Sequence, residues 1–272
     1  MSLVTISGGA GCGADKVARL VAKEAKIELY DDTRLQQEAV KMGVRSKDLK
    51  GLDEKSPSFF DVLRGNRPEL YVDLMESVVY SVSRSGNGVI LGHGSQILLR
   101  DFGCALHVFI HASDPYRVKS LMEQQGLSSK AAEKMINKTD HERRGFLRFA
   151  FHMEWNDPSL YDLVINTEKL GVEGAANLVL DALKNQAIQE CSLNALESME
   201  RMSLTKKVEA ALLNENFSFT QFHVEVPEKG VVQIFGYAST AEDKKRLIDA
   251  ASKVSGAASI KDEVGILPAG RY

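Results

Sequence analysis

The sequence predicts an α/β protein: a parallel sheet covered by helices on both faces, followed by a small α+β module. Three observations carry that prediction. Short, nearly continuous apolar runs alternate with helical patterns up to residue 183, and strands of that kind are buried on both faces, as in parallel sheets. A glycine cluster joins the first of these runs to the first helical pattern. After residue 202 the periodicity changes to a compact helix, hairpin, helix and strand.

Bulk properties agree with a globular chain. The 272 residues are 44% hydrophobic and 26% charged, enough for one large domain or a medium and a small one. A formal net charge of -3 gives no overall attraction to nucleic acid or to an anionic membrane, so neither is an expected partner. The 3 cysteines, Cys12, Cys104 and Cys191, are odd in number and widely spaced, which indicates neither a disulfide framework nor a zinc site. His107 and His111 share a strand face without a third ligand and read as structural, so no protein metal site is expected. No stretch approaches the roughly 18 apolar residues of a membrane span. Residues 1–13 also lack a basic-then-apolar export pattern, and the expectation is a soluble, cytoplasmic protein.

The elements follow in order. Strands are expected at 3–7, 27–30, 88–91, 105–110 and 161–165, each a short run bounded by glycine or charge. Helices are expected at 14–25, 68–85, 114–125, 128–149 and 172–183, from apolar residues at helical spacing. Residues 185–202 read as a linking helix, since no strand follows them. A second unit then starts at Ser203 with a short amphipathic helix carrying Val208, Ala211, Leu212 and Leu213. "FHVEV" alternates with period two, "EKG" is a tight turn, and "VVQIFG" returns. Ser239-x-x-Glu242 resembles a capping box opening a helix that ends at Gly256, and "ASIKDEVGIL" closes the module as a strand. The expected division is therefore 1–187, a linker at 188–202, and 203–268. With two cores, a chain cut near Met202 is expected to keep nucleotide binding. The "VVQIF" segment is expected at or near an open sheet edge, covered by the first domain or by a second copy in a homodimer.

The chemistry concentrates at "LVTISGGAGCGADKVARLVAKE". Gly8 and Gly13 have the spacing of GxxxxGK[ST], but Ala14 and Asp15 stand where the lysine and hydroxyl would be. Such a strand-to-helix turn can still hold phosphate through backbone N–H groups and the helix N-terminus, or it can be a structural turn. Lys16 lies three residues past Gly13 and reads as a surface lysine. Cys12 is either a reactive thiol at a helix N-terminus or simply the small residue a tight turn needs. In sheets of this class ligands sit beyond the carboxyl ends of the strands, where "YDD" at 30–32 and "GHGSQILLRD" at 92–101 also end. Trp155 reads as packing a hinge.

Taken together, "TISGGAGCGADKVARLVAKEAKIELYDD", "GHGSQILLRD", "GLSSKAAEKMINKTDHERR" and "WNDPSLYDLVINT" resemble the cytidylate kinase-like family, nucleoside monophosphate kinases of the P-loop superfamily, over about residues 1–187. The resemblance implies a P-loop NTPase-type fold and an ATP:nucleoside monophosphate phosphotransferase with a degenerate Walker A loop. It implies ATP with Mg²⁺ and a nucleotide such as CMP or dCMP as its ligands. Gly8, Gly9, Gly11, Cys12, Gly13, Ala14 and Asp15 would hold donor phosphates, and Arg117 and Arg143 would clamp from a lid-like helix pair. Asp140 precedes Arg143 at the family's D-x-x-R spacing. Asp31 would orient the acceptor or a magnesium-bound water, with His93 and Gly94 nearby. Asp15 and His93 depart from the family in replacing arginines, and Phe146 stands where tyrosine is usual. These losses of charge favour a second reading, a nucleotide-responsive regulator that binds but scarcely turns over.

Residues 203–268 are similar to a BON domain, with Gly230 and Gly236 at the expected turns. Together with the missing export pattern, that implies an intracellular regulatory or assembly module. A third reading makes this module the working part and the first domain its scaffold.

Overall fold

A computed structural model describes residues 2–42, 68–189, 193–217 and 221–267. The first unit is a five-stranded sheet in the order β2-β3-β1-β4-β5, with every neighbouring pair parallel. Its strands are β1 (Ser2–Gly8), β2 (Leu29–Tyr30), β3 (Asn87–Leu91), β4 (Ala105–His111) and β5 (Leu163–Asn166). The helices between them are α1 (Ala14–Ala25), α2 (Asp32–Lys41), α3 (Pro68–Ser83), the short α4 (Ser95–Leu98), α5 (Asp114–Gln125), α6 (Ser129–Phe151) and α7 (Thr167–Ala182). The second unit is a three-stranded sheet of β6 (Phe222–Glu228), β7 (Val231–Ala238) and β8 (Ser259–Ile266), with α10 (Ala241–Ser252) between the last two. The short α8 (Gln186–Gln189) and the long α9 (Leu193–Asn214) join the units.

The strand alternation sorts the core into two layers. On β1, Val4 and Ile6 face α1 and α7, joining Val17, Val21, Ala175 and Val179 in one cluster. Leu3 faces the other way, among Leu35, Met75, Val78 and Phe109. The polar residues on that second face are paired: Thr5 Oγ1 bonds His107 Nδ1 at 2.8 Å, and Ser7 Oγ donates to Gln96 Oε1 at 3.3 Å. Gly171 breaks α7 with φ 66° and ψ -177°, so its main run starts where the apolar pattern predicts.

Three expectations about the second half change. No independent helix starts at Ser203. α9 runs unbroken through that point because 193–214 holds neither glycine nor proline and buries two faces. Leu204, Val208 and Leu212, four residues apart, enter the core of the small module. Met199 and Ala210 pack against the first unit, beside Met75 and Leu74 of α3. Fully burying a side chain of this size contributes about 1.5–3 kcal/mol, so α9 is held from both sides.

The second change concerns "VVQIF". β7 is the central strand, antiparallel to β6 and parallel to β8. It offers no edge, and that ground for a homodimer goes with it. The exposed edge strand β8 carries Lys261, Asp262 and Glu263, charges that discourage further pairing. The third change is small. α10 is capped one residue later than expected, by Thr240, whose side chain accepts from the Asp243 N–H.

Among the cysteines, Cys12 is free and buried, whereas Cys104 is disulfide-bonded, contrary to expectation. Cys191 lies outside the described residues. No helix among the described residues is long and apolar enough to cross a membrane.

Candidate active site

A cleft opens at the carboxyl ends of β1 and β3. It is lined by the glycine loop after β1, Asp32 at the start of α2, Gly92 and Gly94 after β3, and one face of the α5–α6 pair. On α6 that face is the stripe Met135, Thr139, Arg143 and Leu147, one side chain per turn. The cleft encloses about 180 Å³. Typical ligand pockets hold ~300–1,000 Å³, so this cleft is smaller than most.

The loop is built to leave its helix end open. Gly13 caps α1 in the left-handed conformation, φ 86° and ψ 10°, and no side chain caps the helix. Only glycine adopts that conformation without cost; the Ala14 N–H meets the Cys12 sulfur, and the other N–H groups of the first turn are left for an anion. Thr167 Oγ1 donates to the Cys12 carbonyl at 2.8 Å, tying the loop to the start of α7.

The glycines also serve a purpose not visible in the sequence. A Cβ at Gly9 would strike the guanidinium of Arg117, and one at Gly11 would lie 2.5 Å from the Arg117 carbonyl oxygen. The loop is therefore nested against α5. Arg117 is buried there and spends its donors on protein. Its Nε donates to the Ala10 carbonyl at 2.8 Å, and its two terminal nitrogens donate to Asp140 at 2.8 and 2.7 Å. Asp114 takes a further bond at 3.1 Å. Burial works against the Arg117 charge, and the Asp140 partner more than restores it.

The expected site residues thus divide. Gly8, Gly9, Gly11, Gly13, Ala14, Asp15, Gly94 and Arg143 line the cleft. Arg117 and Asp140 sit behind the loop as its brace and are not part of the lining. Cys12 turns into the core beside Val17, and burial pushes its thiol up from the ordinary range, which disfavours a reactive thiolate. Asp31 caps α2 through the Arg34 N–H at 3.1 Å and pairs with Arg19 at 3.3 Å, away from the lining. Its neighbour Asp32 faces the cleft instead, because the first turn of α2 rotates it inward. Buried His93 stands behind it, its Nε2 donating to Asp32 Oδ1 at 2.7 Å. Lys16 is exposed and outside the lining.

The sequence reading placed "YDD" at the cleft but chose Asp31 over Asp32, and it singled out none of Gln96, Gln124, Gln125 and Thr139. Thr139 had a signal, its four-residue spacing from Arg143; the glutamines had none. Trp155 belongs to the lining as well. The Arg143 guanidinium carbon lies 6.0 Å from the Trp155 ring centroid, and the indole meets Phe109 edge-on at 5.3 Å. Arg143 is the one cation among the described lining residues, opposite the carboxylates Asp15 and Asp32.

The profile of the cytidylate kinase-like family matches residues 3–169, more than half of the chain. The chain belongs to that family. Residues 203–268 match the BON domain. The cytidylate kinase of Staphylothermus marinus is 26% identical over 185 residues, covering 68% of this chain and 97% of that protein. The cytidylate kinase of Pyrobaculum islandicum is 25% identical over 182 residues, covering 66% and 92%. An uncharacterized protein from Eubacterium ventriosum has a solved structure similar to this one, with TM-score 0.51, 21% identity, and coverage of 68% of this chain and 100% of that one. The family match spans the five-stranded parallel sheet and the helices between its strands.

Proposed function

We propose that the chain is a nucleoside monophosphate kinase that moves the γ-phosphoryl group of ATP to CMP or dCMP. The observation that carries this reading is the uncapped α1 behind the glycine loop, with Arg143 facing it across the cleft. Membership of a family whose relatives bear the name cytidylate kinase supplies the acceptor class.

In the proposed mechanism the loop N–H groups and the positive end of α1 take the donor phosphates. Arg143, whose fork matches phosphate oxygens, contacts the group in transfer from the α6 side. Asp15 and Asp32 line the cleft, and a pair of carboxylates beside phosphate oxygens suits Mg²⁺. The ion would neutralise charge spread over those oxygens. His93 orients Asp32 through its 2.7 Å bond. The acceptor phosphate is already a nucleophile, so positioning and charge neutralisation carry the reaction without a protein base. The Arg117–Asp140 pair fixes the loop to α5 and acts only through that placement.

One observation favours the second reading, a nucleotide-binding regulator with little turnover. With Arg117 committed to Asp140, the described lining keeps a single cation against two carboxylates. A panel of nucleoside monophosphates, titrated with ATP and Mg²⁺ and scored for both binding and diphosphate formation, separates the two. Diphosphate formed fastest from CMP or dCMP supports the kinase. Binding without diphosphate from any acceptor overturns it in favour of the regulator.

A further inference from the structure

A second cavity lies where the C-terminal module meets the first domain, at the opposite end of the sheet from the glycine loop. Arg84, just past α3, forms one wall, α9 contributes Glu200, Arg201 and Lys207, and the β6–β7 turn contributes Lys229. The whole chain carries a net charge of -3, yet here four cationic side chains surround one carboxylate.

The partners of these charges are unevenly distributed. Glu200 Oε1 serves both Arg84 at 3.3 Å and Lys229 at 3.1 Å. Arg201 donates to the Pro227 carbonyl at 2.8 Å and to Ser198 Oγ at 3.0 Å. Lys207, half-buried, has no ion pair or hydrogen bond among the described residues. Burial, and then the charge of Arg84, push its ammonium below the ordinary lysine range, with Glu200 only partly opposing. A cation held in such a place destabilises the fold unless an anion answers it.

We propose that this cavity binds a phosphate-type oxyanion, free or as the terminal group of a soluble metabolite, with Lys207 at its floor and Arg84 and Lys229 at its rim. The cavity encloses about 140 Å³, room for a phosphoryl group and little more. Cations converging from three separate elements suit a dianion, and the Arg84 fork suits its oxygens. A bound anion bridges α3, α9 and the β6–β7 turn, so it fastens the small module to the kinase-like domain. By linkage it stabilises the assembled chain.

Calorimetric titration of the full chain with inorganic phosphate, at constant ionic strength, tests the site. The nucleotide cleft can also take phosphate, so Lys207→Met and Arg143→Ala are compared. Lys207→Met is expected to weaken one binding event at least tenfold, and Arg143→Ala to leave that event intact. In phosphate-free buffer Lys207→Met is expected to melt at or above the wild-type temperature, because the cation it removes has no partner. A wild-type titration by Lys207→Met, or loss of all phosphate binding in Arg143→Ala alone, overturns the proposal. So does a lower melting temperature of Lys207→Met without phosphate, which would make Lys207 a structural residue. Vesicles of an anionic phospholipid form a second arm. Binding to them without a response to inorganic phosphate would point to a lipid headgroup and overturn the soluble-anion assignment.

Discussion

Arg117 and Arg143 lie in similar charged helical segments, yet their surroundings give them different work. Arg117 is enclosed by Ala10, Asp114 and Asp140, whereas Arg143 reaches the cleft. Asp140→Asn is therefore expected to cost about 3 kcal/mol of stability, the low end for removing one partner of a buried ion pair. Urea unfolding reads this directly, and an unchanged midpoint would show that the pair braces nothing. Arg143→Ala is expected to weaken nucleotide binding more than tenfold, since hydrogen bonds to charged groups contribute about 1.5–3 kcal/mol. Arg143→Lys should recover only part of it, because the fork is lost. Lys16→Ala should change affinity little. Wild-type binding by both Arg143 variants would make it a surface charge.

Between elements, two contacts decide most. The first is the loop against α5. Gly11 has φ 81°, and a side chain added there would begin 2.5 Å from the Arg117 carbonyl oxygen, so Gly11→Val both strains the turn and pushes α5 away. Loss of nucleotide binding with the fold retained by circular dichroism is the expected result, and normal affinity would refute the nesting. The second is α3 against α9. Lys206 reaches Asp73, Glu76 and Glu209, each at 3.0 Å, while Ser203 Oγ donates to the Ser77 carbonyl at 2.8 Å. Three carboxylates share one ammonium. Burial pushes the Asp73 carboxyl up to about 7, with Lys206 opposing and the neighbouring acids adding. Unfolded, it returns to roughly 4. Across that window the folded chain holds the extra proton, so this contribution to stability is present in acid and is lost as pH rises from about 4 to about 7. Asp73→Asn removes the slope. The variant's melting temperature should gain on the wild type across the same window, at ~2–4 °C per kcal/mol. A difference that stays flat with pH would mean Asp73 titrates as an ordinary aspartate.

At the scale of the whole molecule, α9 packs against both units. A chain ending at Met202 keeps Met199 but loses Ser203, Lys206 and Ala210, and so uncovers Leu74 and the acidic side of α3. It is expected to melt on the order of 5 °C below the full chain, the shift that ~2 kcal/mol produces in a domain of this size. Light scattering should also show association through the uncovered stripe. A truncated chain that stays monodisperse, melts like the full chain and binds nucleotide equally well would restore two independent domains.

The sequence by itself determined the parallel sheet, since nearly continuous apolar runs between helical patterns need cover on both faces. It pointed to the glycine loop too, because Gly8 and Gly13 have a phosphate-loop spacing, while Arg143 entered only through the family resemblance. It could not decide between Asp31 and Asp32, which differ only in how the first turn of α2 rotates them. Nor could it separate Arg117 from Arg143, since what encloses Arg117 comes from the loop and from α6. The separate helix start expected at Ser203 and the open edge expected at "VVQIF" fail for the same reason, although the BON match begins at residue 203. Local pattern reports which residues seek burial, while the partner that buries them comes from distant chain, here α3 for α9 and β8 for β7. Tertiary structure alone supplies those partners.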